Sequence, residues 1–302
     1  MKKKVLITGG AGFIGLNLIK FLINKNWKIN VLDNLSNSNL KNLPQNINFI
    51  KGDIRNKKKL MNAANNCSLV IHLAAKSALQ ETIDNPESCI SNNVSGTVNI
   101  IDLCIKKKIK LIFASTCAIY PLNSNKKSKE KDHSSFETPY SISKVNCENL
   151  INFYTKQKKI KAVILRFFNV YGEGQKPNSF YSAVVPNFIK QSQNNLPLTI
   201  YNSGNQKRDF INVKDVCEAI YKAINYKKSD TFNIGTGNAI KIKYLAELIL
   251  KEYVNGKLKY SKTTKFDASY SCANIYKTGK FLKFKAKIDI KKGIKELINY
   301  EI

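Results

Sequence analysis

Two residues one helical turn apart carry the most specific chemistry in this chain: Tyr140 and Lys144, in Tyr140-Ser141-Ile142-Ser143-Lys144. At i and i+4 they share one helix face, and Pro139 just before them suits a helix start. A tyrosine hydroxyl titrates near ~10 in water, so it acts as a base only where its anion is stabilised. A lysine ammonium one turn away and a positively charged ring would do that. The same pattern also describes a solvated helix surface. Ser115 and Thr116 follow the apolar run 111–114. Small hydroxyls there can hydrogen-bond a substrate hydroxyl beside the tyrosine, or cap a helix.

A third group stands at the start, in Val5-Leu6-Ile7-Thr8-Gly9-Gly10-Ala11-Gly12-Phe13-Ile14-Gly15. Gly9 permits a tight turn, Gly12 lets a backbone N–H approach a pyrophosphate, and Gly15 lets a helix lie close to the strand. The spacing is GxxGxxG. A glycine-rich turn of no further purpose is the plainer reading, but strand, turn and amphipathic helix follow in the order a dinucleotide requires. Asp33 ends the next apolar run, where its carboxylate can accept from both adenosine ribose hydroxyls and would repel a 2′-phosphate. The cofactor expected is therefore NAD rather than NADP. Asp53, after the third run, could contact the adenine amine or serve as a turn residue.

The elements that must position these groups alternate. Strands are predicted at 5–8, 29–32, 47–50, 69–73, 111–114 and 162–166, with helices at 13–26, 86–107 and 140–158. Such alternation implies a doubly wound parallel α/β sheet with ligands at the carboxyl ends of its strands. After Arg166 the pattern loosens, with a helix at 182–195. A strand at 211–213, a helix at 214–226 and the run 232–235 then resume regular structure, and a helix at 243–252 and a basic C-terminal region follow. The reading is a nucleotide domain over 1–169, to which 211–235 returns, with a smaller interleaved α/β substrate domain over 170–210 and 236–302. The polar stretch 123–135 predicts a mobile loop.

Of 302 residues, 50 are Lys or Arg against 21 Asp or Glu, a formal net charge of +29. Only Arg55, Arg166 and Arg208 are arginines. The lysines come in short scattered runs with no nucleic-acid motif, so no nucleic-acid partner is expected. No apolar run is long enough to span a membrane. Seven cysteines without a C-x-x-C pair predict free thiols in a cytoplasmic protein. The two histidines offer no metal-ligand spacing.

Taken together these motifs resemble the extended short-chain dehydrogenase/reductases that act on nucleotide sugars, the UDP-hexose 4-epimerases in particular. The resemblance runs through 8–15, Asp33-Asn34-Leu35-Ser36, Gly52-Asp53-Ile54-Arg55, His72-Leu73-Ala74-Ala75, Asn93-Val94-x-Gly96-Thr97, Ser115-Thr116 and Tyr140-x-x-x-Lys144. It continues through 166–172 and 208–213. It implies a Rossmann-type fold and NAD held by Gly9, Gly12, Phe13, Ile14, Gly15, Asp33, Asn34, Asp53, Ile54, Leu73, Ala74, Ala75 and Lys144. Tyr140 would be the general base, and Lys144 would hold the nicotinamide ribose. Thr116, with Ser115 beside it, would bond the reacting oxygen. Asn169 and Arg208 would touch a UDP-linked nucleotide sugar, Arg208 at its pyrophosphate, where a guanidinium suits phosphate. A structural ion pair with the aspartate that follows is the alternative for Arg208. The helices near 86–107 and 140–158 would pair in a homodimer.

Departures from the family pattern sharpen the reading. Where dehydratases carry Asp-Glu after the threonine and decarboxylases a glutamate, this chain has Cys117-Ala118, which leaves epimerisation. If Asp267 aligns with the family's C-terminal aspartate, Thr264 replaces a phosphate-binding arginine, with Lys262 or Lys265 as substitutes. The same alignment puts Ser271 where a bulky tyrosine restricts the pocket, which leaves room for an N-acetyl group. Pro121 replaces a glycine. A net reductase would consume reduced cofactor. A non-catalytic binder would have no use for a polarised tyrosine.

Overall fold

The computed structural model describes residues 3–122, 125–132, 134, 136–177, 184–253, 256–262 and 268–301. The strands are Lys4–Thr8 (β1), Lys28–Asp33 (β2), Asn48–Lys51 (β3), Leu69–His72 (β4), Lys110–Thr116 (β5), Ala162–Phe167 (β6), Asn169–Tyr171 (β7), Leu198–Tyr201 (β8), Lys207–Asn212 (β9), Asp230–Ile234 (β10), Ala239–Lys241 (β11), Leu258–Ser261 (β12) and Tyr270–Ser271 (β13). The helices are Phe13–Ile23 (α1), Lys57–Ala63 (α2), Leu79–Asp84 (α3), Pro86–Ile90 (α4), Gly96–Lys107 (α5), Pro139–Lys156 (α6), Val184–Gln193 (α7), Val213–Asn225 (α8), Ile242–Leu250 (α9) and Ile290–Glu301 (α10).

Seven strands form one parallel sheet in the order β10-β6-β5-β4-β1-β2-β3. Alternation along β1 shows why both faces are covered. Val5 and Ile7 join the core under α1 and α8, while Leu6 points the other way, to Ile100, Leu103 and Ile151 of α5 and α6. The strand order reverses between β1 and β4, and the crevice at such a reversal is where this architecture binds ligands. β9 organises a second sheet with β11, β13 and β7. Beside it α7, α9 and α10 close a separate apolar core with β8.

One expectation needs correction and two gain detail. The helix expected over 86–107 forms with those bounds. Ser91–Ser95 forms a π-turn between α4 and α5, and the Asn93 carbonyl accepts from the Thr97 hydroxyl (2.6 Å) and the Cys147 thiol (3.3 Å). The Asn93 amide donates to Lys76 O and Ser143 Oγ. The described part of the stretch expected to be mobile is pinned. Ser128 N donates to Cys272 O, Ser128 O accepts from Asn274 N and Asn233 Nδ2, and Glu130 Oε1 accepts from Asn233 N. The basic C-terminal region ends in α10, whose Ile294, Leu297 and Ile298 are buried.

Candidate active site

The glycine turn is built as its spacing requires. Gly9 lies at φ +71°, and a Cβ there would stand 2.6 Å from Ala74 N; one on Gly15 would stand 2.5 Å from Gly9 O. α1 starts at Gly12 with no side chain capping its first amides and no acid in its first turn, so those N–H groups are free to meet an anion. The turn borders a cleft of about 530 Å³ lined by Gly9, Gly12, Phe13, Ile14, Gly15, Asp33, Asn34, Ile54, Leu73, Ala74 and Ala75. Asp33 closes its far wall. Ala11 N donates to Asp33 Oδ2 (3.0 Å), and Leu35 N (2.8 Å) and Ser38 Oγ (3.3 Å) donate to Oδ1. The carboxylate is thus held rigid at the end of β2. Bare glycine backbone, an uncapped helix start and a fixed carboxylate fit a dinucleotide with an unphosphorylated ribose.

Asp53 is paired within its own turn. Both its oxygens are engaged by Arg55, by Nε (2.9 Å) and Nη2 (2.7 Å), and that guanidinium holds its carboxyl down at about 2. Ile54, not Asp53, forms the wall.

Across the cleft Thr138 and Ser141 form a capping box, and Pro139 opens α6. Tyr140 and Lys144 follow on one face, with Lys144 Nζ 6.0 Å from the Tyr140 ring centroid and 4.7 Å from that of Phe113. Lys144 Nζ donates to Ala114 O (2.8 Å), and Ala114 belongs to the cleft wall. Thr116 Oγ1 accepts from Ala118 N (3.1 Å), which leaves its own proton uncommitted near the Tyr140 phenol. Burial pushes that phenol above the ordinary tyrosine value, and the Thr116 hydroxyl works against the rise. Burial also lowers the Lys144 ammonium. Beneath them His72 is fully buried. Thr97 donates to Asn93 O, so it accepts from His72 Nε2 (3.1 Å), and Nδ1 accepts from Thr8 (2.7 Å). Burial, then the charge of Lys144, holds His72 down at about 3.

On the other side of Thr116 lies Cys117, whose thiol is near Ser271 and feels the charge of Arg208. Burial pushes the thiol up to about 11. Ser271 and Arg208 are register partners across β13 and β9. Asp209 turns away, accepting from Thr236 N, Gly237 N and Ala273 N, so it pins a turn. Asn169 donates to Asp209 O (3.1 Å). Ser115, expected at the substrate, is corrected: it is 4% exposed and donates to Glu148 Oε1 (2.5 Å). Strand alternation sends it beneath the site while Thr116 faces in. Thr264, Lys265 and Asp267 lie outside the described residues.

Sequence reasoning missed three features. Cys117 joins the wall between Tyr140 and Ser271. Ser38 braces Asp33. Gly174, Gln175 and Lys176 line the cleft from after β7, tied to α1 by Asn17 Nδ2 to Glu173 O (2.9 Å) and Lys20 to Glu173 Oε1 (3.0 Å). No local signal marks that segment as part of a nucleotide cleft.

Comparison with known proteins meets this geometry from another side. Residues 5–235 match the model of the NAD dependent epimerase/dehydratase family. A protein of Methanocaldococcus jannaschii provisionally named UDP-glucose 4-epimerase is 35% identical over 301 residues, covering 98% of this chain and 97% of that protein. The structure of UDP-N-acetylglucosamine 4-epimerase from Methanobrevibacter ruminantium M1, in complex with UDP-N-acetylmuramic acid, superimposes with a TM-score of 0.94 at 31% identity, covering 100% and 99% of the two chains. That of the UDP-glucose 4-epimerase of Thermus thermophilus in complex with NAD gives 0.91 at 27%, covering 98% of each. A matching fold, a matching family model over most of the chain and a built dinucleotide cleft agree: the chain belongs to the NAD dependent epimerase/dehydratase family.

Proposed function

We propose that this chain inverts C4 of a UDP-linked sugar, with NAD bound in the glycine-turn cleft and regenerated in every cycle. The observation that carries the proposal is the Tyr140–Lys144 face of α6, set against Ala114 at the end of β5 in the wall of a cleft that fits a dinucleotide. Bound in this cleft, NAD would supply the hydride acceptor and donor that an inversion at C4 needs. The chain's own residues do the rest. Tyr140 takes the C4 hydroxyl proton and gives it back. Thr116 donates to the reacting oxygen or the phenolate. Lys144 adds positive charge one turn away and holds the nicotinamide ribose. Arg208 anchors the pyrophosphate, where its planar fork suits two phosphate oxygens. Asn169, next to Asp209 in the fold, would contact the substrate beside it. Cys117 and Ala118 supply no carboxylate, so the acid–base elimination of a dehydratase has no agent here.

The relatives above are named for UDP-glucose and UDP-N-acetylglucosamine. Ser271, small and beside Arg208, favours the N-acetyl sugar. We assign 1–169 with 211–235 to the nucleotide domain, and 170–210 with 236–302 to the substrate domain. The homodimer reading is supported by exposed Val98 on α5 and Phe153 on α6, 44% and 56% accessible. All seven cysteines are free, which favours the cytoplasm. Among the described residues no helix is long and apolar enough to cross a membrane. The test is Tyr140→Phe: turnover should fall by at least ~100-fold with UDP-sugar binding kept. Full activity would remove Tyr140 from the mechanism.

A further inference from the structure

A group of buried polar side chains lies directly beneath the proton-transfer residues, and the mechanism above uses none of them. Ser115 Oγ donates to Glu148 Oε1 (2.5 Å). Arg166 closes on both oxygens of Glu148, with Nε at 3.0 and 3.2 Å and Nη2 at 2.7 Å. Its Nη1 donates to Tyr120 Oη (2.8 Å) and Glu130 O (3.0 Å), and Tyr120 Oη donates to Asn233 Oδ1 (2.6 Å). Glu148 is 3% exposed and Arg166 7%.

Stability alone does not explain an ion pair in this place. Two charges lose their hydration on burial, and an apolar pair of similar volume is often as stable or more so. What sets this pair apart is where it is anchored. Ser115 stands between Ala114, whose carbonyl receives Lys144, and Thr116, whose hydroxyl lies near Tyr140. Glu148 lies one turn past Lys144 and two past Tyr140 on α6. The Ser115–Glu148 bond therefore crosses from strand to helix between the two contacts that proton transfer needs. Arg166 then locks Glu148 from β6. The arginine itself is informative. The chain has 50 Lys and Arg, of which three are Arg. At this position a planar fork serves Glu148, Tyr120 and Glu130 at once, which an ammonium on a flexible stem cannot do.

We infer that Ser115, Glu148 and Arg166 are positioning residues for the reaction: together they set the end of β5 against α6, so that Thr116 and Ala114 meet Tyr140 and Lys144 in register. The inference rests on Tyr140 acting as the base. It makes the hydroxyl of Ser115 a contributor to rate without any contact with substrate.

The test uses two variants of the full chain with UDP-N-acetylglucosamine and UDP-glucose as substrates. Ser115→Ala removes the cross-tie and leaves the Arg166–Glu148 pair in place. The double variant Glu148→Met with Arg166→Met replaces the pair by apolar volume and should keep a melting temperature near that of the parent. Misplacement of a reacting group by a fraction of an ångström to an ångström costs one to two orders of magnitude in rate. We therefore expect kcat to fall at least ~10-fold in each folded variant with KM unchanged. A purely structural tie would lower the melting temperature and leave kcat alone. Parental kcat in either folded variant overturns the inference. Tyr140→Phe, assayed alongside, separates the two claims: if it is inactive while Ser115→Ala turns over normally, only the positioning role is lost, and if it is fully active the base assignment is lost instead.

Discussion

Acidification from pH 7.5 to 4.5 should remove about 2.7 kcal/mol from the folded state through His72 alone. The residue is fully buried between the hydroxyls of Thr8 and Thr97, with Lys144 above it, and it is held down at about 3 by burial and then by that ammonium. An unfolded chain returns it to about 6.5. The folded value is thus the lower one. Between 6.5 and about 3 the unfolded chain binds a proton that the folded chain refuses, so stability is full above 6.5 and falls as the pH drops. Each unit costs about 1.4 kcal/mol, so two units cost about 2.7 and the whole interval at most about 5. Most carboxylates titrate below this window. The assay is urea unfolding at pH 7.5, 5.5 and 4.5, followed by Trp27 fluorescence, on the parent and on His72→Asn. His133 is present in both, so its contribution cancels. The parent should lose stability over the window and the variant should lose about 2.7 kcal/mol less. Parallel curves for the two proteins would refute the claim that His72 is kept neutral beneath Lys144.

Other substitutions probe the site directly. Gly15→Ala puts a methyl group 2.5 Å from Gly9 O and 2.6 Å from Gly10 Cα; the turn must shift, and purified protein should retain little NAD, as read from its absorbance after denaturation. Asp33→Ala would remove two charged hydrogen bonds proposed to the ribose, each worth about 1.5–3 kcal/mol; NAD affinity should fall at least ~100-fold and the preference over NADP should shrink, and an unchanged Kd by fluorescence titration would contradict the assignment. Arg208→Lys keeps the charge but loses the fork, so KM for the UDP-sugar should rise about 10-fold with kcat spared. Ser271→Tyr should abolish turnover of UDP-N-acetylglucosamine and spare UDP-glucose; equal rates on both would remove Ser271 from substrate selection.

How far the sequence could be read depended on whether a feature is local. The glycine turn, Asp33 and the Tyr140–Lys144 pair are each set by neighbours within a few residues, and the structure places them on one strand end, one turn and one helix face. The capping box at Thr138 belongs to the same class. Ser115 and Thr116 look equivalent as adjacent hydroxyls, yet a strand sends neighbours to opposite faces. Only the position of Glu148 and Arg166 reveals that Ser115 is the inward one. The stretch around Ser128 looks loose by composition because its partners, Asn233 and Cys272, come from the far end of the chain. The segment after Gly172 reaches the nucleotide cleft through Asn17 and Lys20, again across a separation that no local pattern records. The π-turn at Ser91–Ser95 lies inside a helix that the apolar spacing did predict, but that spacing does not mark the turn. Its carbonyl at Asn93 is drawn off by Thr97 and Cys147, and the Cys147 contact comes from another helix.

The most direct measurement is proton NMR of purified protein incubated with UDP-N-acetylglucosamine and, separately, with UDP-glucose, first without added cofactor and then with NAD. The galacto epimer should accumulate to an equilibrium mixture while no net NADH forms. Turnover that stops after one equivalent, or that consumes reduced cofactor in proportion to product, would contradict epimerisation and identify a net oxidoreductase.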